Sequence, residues 1–141
     1  MKTGGKLKSH SRMRNFRKVE GEIKDVWQVD EADRIFSQEI RKRDGCCVNC
    51  GSTMFLGCSH YFERGIYNTR FDPENCITLC QECHEKWEHE KHGIYLDYMK
   101  MWLGIGFLSL QIRAKGKVSP YQAISEFMKV SETFKNQDII Y

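Results

Sequence analysis

The sequence predicts an α+β domain: a helix, then a small two-stranded core, then a mostly helical C-terminal part. Three observations predict it. Apolar residues recur at helical spacing over residues 29–45 and again after Pro120. Two short runs, TMFLGCSHYF and CITLC, read as strands on either side of a polar loop, ERGIYNTRFDPEN. Two Cys-x2-Cys pairs bracket this central stretch.

Size and composition narrow the class. A chain of 141 residues suits one compact domain with a tail. With 40% hydrophobic and 29% charged residues, disorder along the whole length is excluded. A membrane span needs roughly 18–20 apolar residues. The longest candidate, Tyr98–Leu110, is broken by Lys100, Gly104, Gly106 and Ser109. The first residues, MKTGGKLKSHSRMRNFRK, lack the apolar stretch of a secretory signal, so the expected location is the cytoplasm, without membrane contact. Two prolines exclude a Pro-rich linker. Seven cysteines, an odd number, favour a metal site over a disulfide framework.

The elements follow in order. Residues 1–19 carry Lys2, Lys6, Lys8, Arg12, Arg14, Arg17 and Lys18 and no acid. The whole chain is only +3, so the body is mildly acidic. A basic arm on such a body suits a polyanion such as nucleic acid. Residues 20–29 read as a connector. A helix is expected next, with Asp30 as its cap and Ala32, Ile35, Phe36 and Ile40 on its apolar face. Arg41, Lys42 and Arg43 suit its last turn and Gly45 its end. Residues 81–92 look helical, as does most of the chain after Gly93. Ser119-Pro120-Tyr121-Gln122 is a helix start, followed by an apolar stripe of Ala123, Ile124, Phe127, Met128 and Phe134. The expected organisation is a basic arm (1–19), a central domain (20–104) and a helical extension (105–141).

Cys47-Val-Asn-Cys50 and Cys80-Gln-Glu-Cys83 each offer two thiolates from one tight turn. Together they complete the tetrahedral shell that Zn2+ prefers. Gly51 fits the turn that follows the first pair. Cys46 is the rival ligand, one residue too early for the spacing. Cys58 and Cys76 lie on the expected strands as small buried residues. A shell of four thiolates has no open position, so this zinc would hold the fold and do no chemistry. Reactive residues must then be sought nearby. His60 ends the first strand, Asn75 precedes the second, and His84 follows Cys83. A hairpin and helix pinned by zinc would gather all three.

The segments IFSQEIRKRDGCCVNCG, CSHYFERGIYNTRFDPEN and CQECH, with HGIYLDYM after them, resemble the zinc-containing HNH nucleases (ββα-metal or His-Me finger). Within these they look most like the phage NinG/Rap recombination nucleases. The similarity covers about half the chain, residues 31–98. It implies a ββα-metal core and hydrolysis of DNA phosphodiesters. His60 would be the general base, since imidazole titrates near neutral pH. Asn75 would hold the loop and orient His60. His84 would ligate a catalytic Mg2+ or Mn2+. Arg64 and Arg70 would grip phosphate oxygens, or else form surface ion pairs with Glu63 or Asp72.

The sequence departs from that pattern. Many HNH nucleases carry an acidic metal ligand just before the base, where this chain has Ser59. Either His84 is then the sole protein ligand, or Asp72, Glu63 or His89 helps. NinG-like proteins often have Asn after the second Cys-x2-Cys, where this chain has His84. The expected partner is DNA, with branched recombination or replication intermediates as the substrate that the resemblance implies. The location would be the host cytoplasm if the chain is phage-encoded. A homodimer through the C-terminal helices is an expectation of the resemblance alone. The competing reading is a non-catalytic, zinc-containing nucleic-acid-binding module with an inactive HNH core.

Overall fold

The computed structural model describes residues 26–137. The basic arm at 1–19 lies outside them. Two compact units divide the described residues, Arg34–Val118 and a second one made of residues 26–33 with 119–137.

Helix α1 spans Val26–Asp44. It starts earlier than the sequence suggests, so Asp30 lies inside it and is not its cap. Val26–Val29 contain no Gly or Pro, and a helix once nucleated extends through such residues. The expected apolar face holds: Ala32, Ile35, Phe36 and Ile40 are all buried. The helix ends at Gly45, whose φ of +73° suits glycine and whose amide donates to the Arg41 carbonyl at 2.8 Å.

Strands β1 (Leu56–His60) and β2 (Cys76–Cys80) pair antiparallel, with Cys58 opposite Thr78 and His60 opposite Cys76. A short helix, α2 (Tyr67–Arg70), and a 3₁₀ turn (Pro73–Asn75) lie between them. Side chains alternate across a strand. Leu56, Cys58 and His60 therefore share one face with Cys76, Thr78 and Cys80, and Gly57 and Ser59 share the other with Ile77 and Leu79.

The face of Ile77 and Leu79 is the core. It is joined by Trp87 of α3 (Gln81–His89), Tyr95 and Met99 of α4 (Ile94–Leu103), and Phe107 and Leu110 of α5 (Gly106–Ala114). Tyr61 packs edge-on against both Tyr95 and Phe107, with ring centroids 5.0 and 5.7 Å apart. Each such burial contributes about 1.5–3 kcal/mol. The expected boundary after residue 104 thus falls inside this core: α5 is part of it.

The opposite face meets α1. Phe36 lies 5.9 Å from the His60 ring, and the Thr78 hydroxyl donates to the Ile40 carbonyl. Two-stranded sheets leave polar edges that need partners. The outer edge of β2 is closed by side chains and loop. Asp44 accepts from the Thr78 amide at 2.8 Å, Val48 donates to the Thr78 carbonyl, and Arg43 donates to the Cys76 and Pro73 carbonyls. Arg43 therefore fastens α1 to the hairpin, a role beyond the helix-dipole one its position suggests.

In the second unit, α6 (Pro120–Gln137) starts as the sequence predicts: Ser119 Oγ accepts from the Gln122 amide at 3.1 Å. Ala123 and Ile124 are buried there, as are Val29 and Ala32. Among the described residues, no helix is long and apolar enough to cross a membrane.

Candidate functional site

The Cys47 and Cys50 turn and the Cys80 and Cys83 turn are built alike. In each, the amide of the second cysteine points at the sulfur of the first, at 3.5 Å. Gly51, at φ +80°, lets the first turn close so that its amide reaches the Cys47 carbonyl at 2.9 Å. Cys80 is also the cap of α3, so its sulfur sits where the helix dipole favours negative charge. The four Sγ atoms lie within 4.8 Å of one another. Cys50 and Cys80 Sγ are 3.7 Å apart, close to the roughly 3.8 Å edge of a tetrahedron with Zn–S bonds of about 2.3 Å. These donors can hold a metal ion such as zinc. Cys46, the rival, is outside the cluster.

Charge within the cluster favours a cation. Burial pushes the Cys47 thiol up, but amides of Cys50, Cys80 and Asn49 outweigh it and bring it down to about 6. Cys83 goes the other way: Asn49 helps its thiolate, yet burial and the neighbouring thiols push it up to about 12. One thiolate forms readily and the next resists, as for like charges crowded together. A bound dication removes that conflict.

Asn75 is fully buried and saturated. Its Oδ1 accepts from the Phe62 amide at 2.8 Å, and its Nδ2 donates to the Phe62 and Thr69 carbonyls at 3.0 Å each. It thus ties the residues just after β1 to α2. His60 Nε2 is 2.8 Å from the Arg70 carbonyl. His84 is half-buried on α3 and lies 3.4 Å from Glu88 on the same helix. His60 lies on the α1 side of the hairpin, 5.9 Å from the Phe36 ring.

Ser59 is fully buried, 2.8 Å from the Tyr95 hydroxyl. Burial pushes that tyrosine's ionisation up, so the pair stays neutral. The position before the candidate base is thereby closed. Asp72 is also committed, to the Glu74 amide and to Arg113 at 2.7 Å. Arg70 stacks on Tyr67, 4.9 Å from the ring, and donates to the Arg64 carbonyl; Arg64 is exposed. Arg113 is one ion-pair partner of Asp72.

Sequence reading missed a second group. The ligand atoms of Cys58, His60 and Cys76 lie within 4.8 Å of one another. The signal was present in part, since Cys58 and His60 two apart on a strand must share a face. Only the pairing register adds Cys76. Compared with protein-family models, curated proteins and solved structures, the chain matches none at a significant level.

Proposed function

We propose that this protein is a metal-dependent DNA endonuclease of the HNH type, with Zn2+ held by Cys47, Cys50, Cys80 and Cys83 for structure alone. The observation that carries this reading is Asn75. A hairpin followed by a helix, with a buried Asn locking the loop after the histidine strand, is what the chemistry asks for: a rigid seat for His60. In this reading His60 accepts a proton from the attacking water, whose oxygen bonds to phosphorus as the bond to the leaving 3′ oxygen breaks. A divalent cation at His84, Mg2+ or Mn2+, would supply Lewis acidity at the phosphate. Arg64 and Arg70 border the same loop and suit phosphate oxygens. The basic arm would add sequence-independent DNA affinity.

Branched DNA is the proposed substrate, on the resemblance to NinG/Rap nucleases. A homodimer through the C-terminal helices is part of the same proposal. The exposed Met101, Ile105, Leu108 and Ile112 are apolar residues available to it. Incubation with linear, nicked, forked and four-way DNA in Mg2+ or Mn2+ tests the reading. Cleavage concentrated at the branched substrates supports it, and no cleavage of any DNA defeats it.

One observation favours a non-catalytic nucleic-acid-binding module instead. Ser59, sealed against Tyr95, occupies the position of an acidic metal ligand and cannot serve as one. DNA binding that persists with no cleavage in either metal would establish that alternative.

A further inference from the structure

The cluster of Cys58, His60 and Cys76 has no part in the four-cysteine site, and the nuclease reading uses only its histidine. Its donors are two thiols and an imidazole, the set that soft and borderline cations prefer over Mg2+. Cys76 is fully buried, and Cys58 and His60 are half-buried, so a cation could enter from the outer end. Nε2 of His60 pairs with the Arg70 carbonyl. A ring N–H donated there leaves the lone pair on the other nitrogen and fixes the ring, as partners of metal-binding histidines commonly do.

A disulfide is the obvious competing use of two close thiols. Cys58 faces Thr78 and His60 faces Cys76, so the cysteines are diagonal neighbours. Diagonal positions stand about 7–8 Å apart. Disulfides favour Cα separations of about 4.4–6.8 Å, so a diagonal pair is a poor place for one. A metal ion, which also takes the His60 nitrogen, suits this three-donor group better than an S–S bond does.

We propose that Cys58, His60 and Cys76 form a second metal site that takes Zn2+, and that its occupation withdraws His60 from catalysis. The metal site stands on the geometry alone; the consequence for catalysis rests on the nuclease reading. Three protein ligands leave one coordination position for water, so this site is weaker and more exchangeable than the four-thiolate one. Excess zinc would then silence the enzyme that a single structural zinc holds together.

The test uses the full chain, purified reduced and loaded with one equivalent of Zn2+. Titration with Co2+ should show a further equivalent bound with thiolate charge-transfer absorption. Cys58→Ser should lose that equivalent and keep its fold by circular dichroism. Cys76→Ser should do the same, and Cys58→Ser alone decides if the buried Cys76→Ser variant does not fold. A wild type that takes no further equivalent overturns the site, as does a further equivalent retained by Cys58→Ser. Separately, Zn2+ should inhibit cleavage in Mg2+. Cys58→Ser should cleave as the wild type does without added Zn2+ and need at least about tenfold more Zn2+ for inhibition. Equal inhibition of both overturns the link to His60. A protein that cleaves no DNA refutes the nuclease reading instead, while the Co2+ count still decides the site.

Discussion

Cys76 opens β2 and Cys80 closes it, yet their sulfurs belong to clusters built in different ways. The cluster around Cys80 is local: each cysteine pair is shaped by its own turn, its own N–H···S contact and, at Gly51, a backbone only glycine adopts readily. The cluster around Cys76 is made by strand pairing. A register slip of one residue would send Cys58 and His60 to the other face. The difference teaches what each needs. The first can assemble once two turns meet, while the second requires the finished hairpin with α1 behind it.

The largest expected effect comes from the local cluster. Structural zinc contributes roughly 10 kcal/mol or more to small folds. Cys80→Ser should therefore lose the tight zinc and most of the folded signal in circular dichroism. A folded, zinc-free Cys80→Ser protein would break the comparison, since the hairpin would then stand without its pin.

Asn75→Ala should come next. It leaves the Phe62 amide and carbonyl without their partner, while the Thr69 carbonyl keeps the Asp72 amide. Such losses cost about 1–3 kcal/mol per stranded group and do not add fully. A loss of about 2–4 kcal/mol in urea unfolding is expected, with the four-cysteine zinc retained. A loss under about 1 kcal/mol would mean that the loop does not depend on Asn75.

Ser59→Ala is a smaller probe, on the core face of β1. It strands the buried Tyr95 hydroxyl and should cost about 1–2 kcal/mol in the same assay. An unchanged stability would show that this hydroxyl finds another partner.

The smallest effect is at the β2 edge. Burial raises the Asp44 carboxyl, but Arg43 and the Thr78 amide outweigh it and hold it below its ordinary 3.8. A depressed carboxylate stabilises above its unfolded-state value, and the effect is lost as pH falls through the lower folded value. Asp44→Asn should cost about 1 kcal/mol at pH 7 and about nothing near pH 2. An equal difference at both pH values would assign the effect to shape and not to charge.

Much of this was legible because it is local. The spacing of Ala32, Ile35, Phe36 and Ile40, the Ser119 cap, both strands and the four-cysteine set all follow from short-range chemistry. What sequence did not give came from long-range pairing. Arg43 reads as a helix-end charge, and only the fold shows it bonded to Cys76 and Pro73 across about thirty residues. The Asp30 cap failed because a cap is only a preference, and the helix had no breaker before it. Phe107 and Leu110 look like an extension in sequence, since nothing local says which core a helix joins. The alternation of β1 and its register with β2 set His60 beside Phe36, Cys58 and Cys76, which spacing alone does not show.

His60, seated by Asn75, is the residue proposed to act on DNA. The direct measurement pairs melting temperature with the rate of plasmid cleavage in Mg2+ or Mn2+ for wild type and His60→Ala. The wild type should cleave, and His60→Ala should keep its zinc and DNA affinity, melt within a few degrees of wild type and cut at least about 100-fold more slowly. A folded His60→Ala protein that cuts at the wild-type rate would contradict that role.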